Sequence, residues 1–200
     1  MYKYSPFQIN TQIKENTSTP PEIMQKLLNR KKTALELHRE LMNIFRILNM
    51  NGFKEMQKYQ LCSESKDFLK LEKHFIKHHY KLPCSEHDKI EFNPHGIKQI
   101  ENILMLTVDK KRTIIKLSFE EWKKWEIETK ECLKKYMAEI SEHDCYEDME
   151  IIEDELEEVT KEIEHINKII IRLNDAEWCI KYMYDMQYWL EEKYKEKLED

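Results

Sequence analysis

Apolar residues recur every three or four positions over most of this chain, which is the spacing of an amphipathic α-helix. The first such stripe consists of Leu27, Ala34, Leu41, Phe45 and Leu48. Its start is marked by the segment 19–22, Thr-Pro-Pro-Glu, which combines a capping box with proline in the first turn. The pair at 51–52, Asn-Gly, predicts the end of this helix, with the glycine in the left-handed conformation.

The same spacing predicts two further helices. The second runs from about residue 53 to 80 and is stopped by Pro83; its stripe is Phe68, Leu71, Phe75 and Leu82. The third is predicted to open at a capping box at 118–121, Ser-Phe-Glu-Glu, and to end near 140. Its stripe is Phe119, Trp122, Leu133, Tyr136 and Ile140.

The fourth predicted helix has the most regular pattern, because its apolar steps alternate between four and three residues, as in a heptad seam. That seam consists of Ile152, Leu156, Val159, Ile163, Ile166, Ile170 and Leu173. After an interruption at 174–175, Asp175 is predicted to cap a last helix that carries Trp178, Tyr182, Met186 and Trp189.

Residues 84–117 are less regular and leave two alternatives open. Residues 103–108 and 113–117 flank a charged tetrapeptide and could form a small β-hairpin. A short helix over 97–106 fits the pattern equally well, because short apolar runs do not distinguish helix from strand.

Composition supports the helical class, since two glycines and five prolines are too few for the many tight turns of an all-β domain. We therefore expect an all-α protein, an antiparallel bundle of four long helices plus a C-terminal helix. Residues 1–18 are polar and aperiodic and are predicted to form an N-terminal arm. Residues 19–200 are predicted to form a single helical-bundle domain.

Charge and cysteine content limit the partners and the compartment. The net charge is −6, but residues 1–100 carry 17 Lys/Arg against 11 Asp/Glu, and residues 101–200 carry 16 against 28. Halves of opposite net charge favour docking on each other or on another copy of the chain. The negative net charge of the whole chain makes nucleic acid an unlikely partner. Five irregularly spaced cysteines, with no leader-like start and no membrane-spanning apolar run, predict a cytoplasmic protein with reduced thiols and no membrane association.

One short segment combines side chains that bind zinc. His74 and His78 are four residues apart on one predicted helical face, and Cys84 and His87 follow just beyond the helix. Nitrogen and sulfur ligands of this kind could close a tetrahedral site. The competing interpretation is a solvated, lysine-rich segment whose histidines interact favourably with the negative end of the helix dipole.

Two titratable residues fall within the apolar stripes. A run of acidic residues follows later in the chain. His38 lies between Ala34 and Leu41, and Glu126 lies between Trp122 and Leu133. We expect both side chains to sit at the edge of the bundle with their polar ends in solvent. Residues 142–158 hold ten Asp/Glu in seventeen positions. Such a run could dock a basic partner or resemble the charge of nucleic acid, but it is more typical of a linker followed by the polar outer face of a helix.

The order of these elements resembles the ferritin-like superfamily, and in particular the bacterioferritins. The pairs at 28–29 (Leu-Asn), 36–37 (Glu-Leu), 52–53 (Gly-Phe) and 82–83 (Leu-Pro) resemble landmarks of the first helical hairpin of a bacterioferritin. Glu162 and His165 resemble the iron-ligand motif of its fourth helix. The resemblance covers about residues 27–173 and rests on short motifs.

The resemblance implies a di-iron site whose ligands come from four helices. Its residues would be Glu36 on the first helix, Asp67 on the second, Glu126 or Glu128 on the third, and Glu162 with His165 on the fourth. Lys70 stands where the second helix of the family carries a histidine. It would also imply iron storage or oxidase-type chemistry.

We expect a non-enzymatic helical-bundle protein, with no catalytic residues, that acts through protein–protein contacts, either self-association or binding of a regulatory partner. The continuous heptad seam, the oppositely charged halves and the aromatic last helix favour this function. A ferritin-like metal-binding protein is the alternative. We expect no cofactor and no tightly held iron or zinc, because the sequence identifies no groups that would orient the candidate ligands.

Overall fold

The computed structural model describes residues 18–82, 90–100 and 102–199, except for the side chain of Leu104. These residues form five long α-helices and two short 3-10 turns, and none of them lies in a strand. No helix in this part of the chain is long and apolar enough to cross a bilayer. The helices are α1 (Pro20–Ile47), α2 (Asn51–Lys77), α3 (Val108–Ile140), α4 (Tyr146–Asn174) and α5 (Ala176–Glu199).

The predicted start of α1 is confirmed, but its predicted end is wrong. The Thr19 backbone N–H donates to Glu22 Oε2 at 2.8 Å, as a capping box requires. The helix ends at Ile47 because Asn49, rather than the glycine, takes the left-handed conformation, with φ of 58°. The N–H of Met50 then donates to the carbonyl of Phe45 at 2.8 Å, which completes a Schellman-type ending.

Gly52 lies inside the first turn of α2, where it allows a close approach of α5. A Cβ atom at this position would lie 2.4 Å from the carbonyl oxygen of Gln187 and 2.9 Å from Cβ of Leu190. The buried side chain of Gln187 also accepts a hydrogen bond from the N–H of Phe53 at 2.9 Å. A free backbone N–H at the start of α2 therefore finds its hydrogen-bond acceptor in a side chain of α5, and not in a residue nearby in sequence.

Neither alternative for the irregular segment is found. The hairpin of residues 103–108 and 113–117 does not form, and 3-10 turns at Pro94–Gln99 and Ile103–Met105 replace the helix over 97–106. The capping box predicted at 118–121 does not start α3 either. The helix is capped eleven residues earlier by Thr107, whose side chain accepts a hydrogen bond from the N–H of Lys110 at 3.2 Å. The run at 113–117 is helical because Ile114 and Ile115 are buried in the core. Ser118 is buried within the helix.

α1 packs against α2 and α3 packs against α4 as antiparallel pairs, and α2 also packs along α5. Their apolar side chains form two buried clusters rather than one. The first contains Leu41, Phe45, Phe53, Phe119 and Ile166, and it includes the inner face of α5. The second contains Ile23, Leu27, Phe75, Leu133 and Ile152.

The seam predicted in α4 does face the interior. Ile152, Ile166 and Leu173 are fully buried and Val159 is also buried. The remaining seam positions, Leu156, Ile163 and Ile170, are partly buried against the two clusters. The cap predicted at Asp175 is also confirmed, because its Oδ1 accepts a hydrogen bond from the N–H of Trp178 at 2.9 Å. The arm predicted for 1–18 lies outside the described residues except for its last position.

Candidate functional site

The face between α2 and α4 carries several polar contacts and three cavities along its length. Gln60 donates to Glu162 at 2.5 Å near one end, and Lys77 donates to Glu147 at 2.6 Å near the other. Acidic residues dominate this face because α4 carries ten Asp/Glu against three Lys/Arg. Its two functional candidates are an interior polar layer and a histidine-containing cluster at one end.

The interior layer, here called the polar belt, separates the two apolar clusters and is contributed by four helices. Lys31 is buried and makes ion pairs with Glu64 at 3.0 Å and with Glu155 at 2.5 Å. A cavity of about 200 Å³ adjoins these groups. The belt consists of Lys31 and His38 from α1, Glu64 from α2, Glu126 from α3, and Glu155 and Glu162 from α4.

The expectation that His38 and Glu126 reach solvent is wrong, since both are buried. His38 shares a 2.8 Å hydrogen bond through Nδ1 with Gln57, and its ring meets Trp122 edge-on at 5.3 Å. Glu126 accepts a hydrogen bond from Nε1 of Trp122 at 2.9 Å. Trp122 therefore connects the two residues, which line the same cavity although nothing in their sequence positions places them at one level.

Burial changes the protonation of the belt. It raises the pKa of Glu126 to about 8, even though the hydrogen bond from Trp122 opposes the change. It raises the pKa of Glu162 to about 7, and it lowers the pKa of His38. Burial alone would also lower the pKa of Lys31, but Glu64 and Glu155 raise it above its usual value. The belt thus holds one ammonium group, and three of its carboxyl groups, those of Glu126, Glu155 and Glu162, retain protons more readily than in water.

The residues implied by the ferritin-like resemblance are only partly brought together. Glu126 and Glu162 line the same cavity. Glu36 pairs with Arg39 on its own helix, and Asp67 pairs with Lys70 at 2.7 Å. His165 is half-buried and does not line that cavity, and Glu128 is exposed. The described residues therefore do not assemble the ligand set that a di-iron centre would need.

The second candidate, here called the end cluster, consists of His74, His78 and Glu147. One potential ligand atom from each residue lies within 4.8 Å of the others, and this is the only such group of three or more among the described His, Cys, Asp and Glu residues. The histidines occupy the end of α2, and Glu147 lies in the first turn of α4. A cavity of about 360 Å³ lined by residues that include His78, Tyr80 and Glu147 adjoins the cluster.

The turn at the C-terminal end of α2 sets the geometry of this cluster. His79 takes the left-handed conformation, with φ of 56°, and the N–H of Tyr80 donates to the carbonyl of Phe75 at 2.9 Å. The ring of Tyr80 then packs edge-on against Phe75, and its hydroxyl donates to Oδ2 of Asp148 at 2.8 Å. Asp148, which is 2% exposed, also hydrogen-bonds His74 through its other carboxylate oxygen.

The structure thus places two of the four predicted zinc ligands, His74 and His78, beside residues that the sequence analysis did not identify. His74 and His78 are adjacent, with ring centroids 4.3 Å apart, whereas Cys84 and His87 lie outside the described residues. Glu147 and Asp148 belong to the acidic run at 142–158, where nothing in the sequence distinguishes them from the other Asp and Glu residues. Their proximity to the histidines depends on how the end of α2 lies beside the start of α4 in the bundle, for which the sequence offers no local signal.

A separate surface feature lies on α5. Ile180, Tyr184 and Tyr188 occur four residues apart, which places them on one side of the helix. They are 62%, 53% and 70% exposed, respectively. We call these three residues the α5 flank. Because the opposite side of α5 is buried against the bundle through Cys179, Met183 and Leu190, the flank remains open to a partner.

Neither a known protein-family model nor a curated protein sequence matches this chain.

Proposed function

We propose that this chain is a non-enzymatic helical-bundle protein that acts through protein–protein contacts, and that its α5 flank binds a second copy of the chain. The observation that carries the proposal is the exposure of Ile180, Tyr184 and Tyr188 in a single row on a helix whose other side is buried. Contiguous apolar patches of this kind typically mark interaction surfaces.

The residue types of the flank favour protein contacts. Tyrosine supplies a large, rigid contact area with a polar end, and tyrosine and tryptophan dominate the residues that contribute most to binding energy at interfaces. Trp189, which is also exposed, lies on the same helix and is approached by the Lys193 ammonium at 4.8 Å. The flank therefore combines an apolar row with the aromatic composition of an interface centre.

The charge distribution favours another copy as the occupant. The first hundred residues have a net charge of +6 and the second hundred a net charge of −12. Two copies can therefore place the acidic half of one opposite the basic half of the other, which lowers electrostatic repulsion and guides association. A two-fold arrangement would let each chain use the same flank.

The test is the mass of the protein in solution. We expect sedimentation equilibrium or light scattering at micromolar concentration to give a dimer or a larger assembly, and we expect association to weaken as salt is added. The double variant Tyr184→Glu/Tyr188→Glu should be monomeric, because it places two carboxylates in the apolar contact. Its helical circular dichroism should match the parent, since both side chains are exposed.

The matched control is Tyr146→Glu, because Tyr146 is 75% exposed but lies at the start of α4. This variant should associate like the parent. A parent chain that is monomeric at all concentrations would rule out self-association, and a double variant that still associates would move the interface away from the α5 flank.

The ferritin-like alternative depends on iron ligands that the described residues do not bring together. Glu126 and Glu162 share a cavity, but no third described His, Cys, Asp or Glu side chain joins them at ligand distance. We therefore derive no iron storage or oxidase chemistry from this site.

A further inference from the structure

We infer that His74, His78 and Glu147 form a binding site for a divalent cation of the zinc class. Their potential ligand atoms already lie within 4.8 Å of one another across the α2–α4 face. The inference revises the expectation, drawn from the sequence, that the chain holds no zinc. It does not rest on the proposed α5 contact, which involves a different surface.

The chemistry of the three ligands selects the class of cation. Two imidazoles and one carboxylate form a ligand set that suits zinc and related transition metals, whereas calcium and magnesium prefer oxygen ligands alone. Histidines four apart on a helix present their rings on the same side, and the carboxylate approaches from another helix. Three protein ligands leave a fourth position for water, for which the adjoining cavity of about 360 Å³ has room.

The groups behind the ligands are those that metal sites use to orient histidines. A metal-binding histidine commonly gives its second ring N–H to a carboxylate, which fixes the ring and strengthens the ligand. Nε2 of His74 is hydrogen-bonded to Asp148 in this way, and the Tyr80 hydroxyl holds Asp148 in turn at 2.8 Å. His74 and Asp148 are both buried, so this arrangement is sheltered from solvent. Sequence alone did not reveal these supporting groups.

A lysine competes with the cation. The Lys77 ammonium lies 2.6 Å from Oε2 of Glu147, and the same oxygen is 2.9 Å from Nε2 of His78. These two contacts hold the pKa of Glu147 down at about 2. Because Lys77 is largely exposed, its side chain can turn into solvent when a cation binds. Removal of this ammonium should therefore strengthen zinc binding.

The experiment is a zinc titration of the full chain, purified without affinity-tag metal and stripped with a chelator. Competition with a chromophoric chelator should give one zinc per chain, and zinc should raise the melting temperature, because it binds the folded state. His78→Ala and Glu147→Gln should each lower the affinity at least ten-fold. Both residues are exposed enough for the variants to fold, which circular dichroism would verify.

The matched control is His79→Asn, which removes the adjacent exposed imidazole and keeps a residue that tolerates the positive φ found there. Its zinc affinity should equal that of the parent. Lys77→Met should bind zinc several-fold more tightly, an effect that an ordinary surface ion pair would not produce. The inference is overturned if the parent binds no zinc, or if Glu147→Gln binds it as tightly as the parent. Zinc that is lost only in Cys84→Ser would transfer the site to other ligands and would equally overturn the assignment.

Discussion

Glu126 shows how a single buried side chain can make the stability of this bundle depend on pH. Its carboxyl group lies in the polar belt, bonded to Trp122, and faces His38 on α1, Glu64 on α2 and Glu162 on α4. Burial raises its pKa from 4.5 to about 8. A carboxyl group with a raised pKa favours the folded state while it is protonated. That contribution is present below the unfolded pKa and is lost as pH rises through the folded pKa.

We therefore predict that Glu126→Gln makes the protein more stable at pH 8 and changes its stability little at pH 4.5. Glutamine keeps an oxygen for the hydrogen bond from Trp122 and carries no charge at either pH. Since one pKa unit corresponds to about 1.4 kcal/mol, the gain at pH 8 should be on the order of 4 kcal/mol. Urea unfolding between pH 4.5 and 9 measures it. The parent should lose stability across that range, more steeply than the variant.

The exposed Glu128, two residues away on α3, gives the matched control. Glu128→Gln should follow the parent at every pH. Some pH dependence should remain in Glu126→Gln because burial also raises the pKa values of Glu155 and Glu162. Equal slopes for the parent and Glu126→Gln would show that Glu126 does not keep its proton in the folded state.

At the scale of the elements, the contact of α2 with α5 determines where the last helix docks. Gly52 lets the two backbones approach, and Gln187 satisfies the N–H of Phe53. This contact leaves the α5 flank pointing outward. A glycine inside a helix normally costs about 1 kcal/mol relative to alanine, so its presence here is explained by the close approach.

We predict that Gly52→Ala destabilises the protein, against the usual effect of that substitution in a helix. The new Cβ would lie 2.4 Å from a backbone oxygen of α5, so the helices must separate, at a cost of about 1–3 kcal/mol. The free energy of unfolding in urea measures the effect. Asn51→Ala, one residue earlier, should change it by less than about 0.5 kcal/mol. A Gly52→Ala protein as stable as the parent would mean that α5 does not pack at this distance.

At the scale of the whole molecule, the polar belt divides the apolar interior, yet the helices run through both parts. On α1, Leu27 belongs to one cluster and Leu41 to the other. On α3, Leu133 and Phe119 are divided in the same way. Because each of these helices is shared, neither cluster can lose its packing without affecting the other. This continuity favours the single domain that the sequence predicts for 19–200.

We therefore predict one cooperative unfolding transition. Trp122, Trp125 and Trp178 all pack in the first cluster, so tryptophan fluorescence reports chiefly on that part, whereas far-ultraviolet circular dichroism reports on all helices. The two signals should have the same midpoint in urea. Leu133→Ala removes a buried side chain of the second cluster and should lower the fluorescence midpoint as well, with a cost of about 2–5 kcal/mol. A fluorescence midpoint that stays at the parent value would show that the clusters unfold independently.

Features that depend on neighbouring residues could be predicted from the amino-acid sequence. The Thr19 and Asp175 caps, the spacing of apolar residues in α4 and the helical class were all correctly predicted, because capping and amphipathic periodicity act within one or two turns. The prediction from sequence failed where a short segment could form either a helix or a strand. The run at 113–117 could pair as a strand, and burial of Ile114 and Ile115 decided for helix.

Which distant residues come into contact depends on how the helices pack. His38 and Glu126 became neighbours through Trp122, and Glu147 came to His74 and His78, because the pairing of helices sets which turns lie at the same level. The rotation and axial position of a helix arise from the packing of its whole apolar face, so no local pattern encodes them. The burial that raises the pKa of Glu126 is likewise a property of the assembled bundle. The chain therefore specified its helices locally, and the packed bundle created the polar belt and the end cluster.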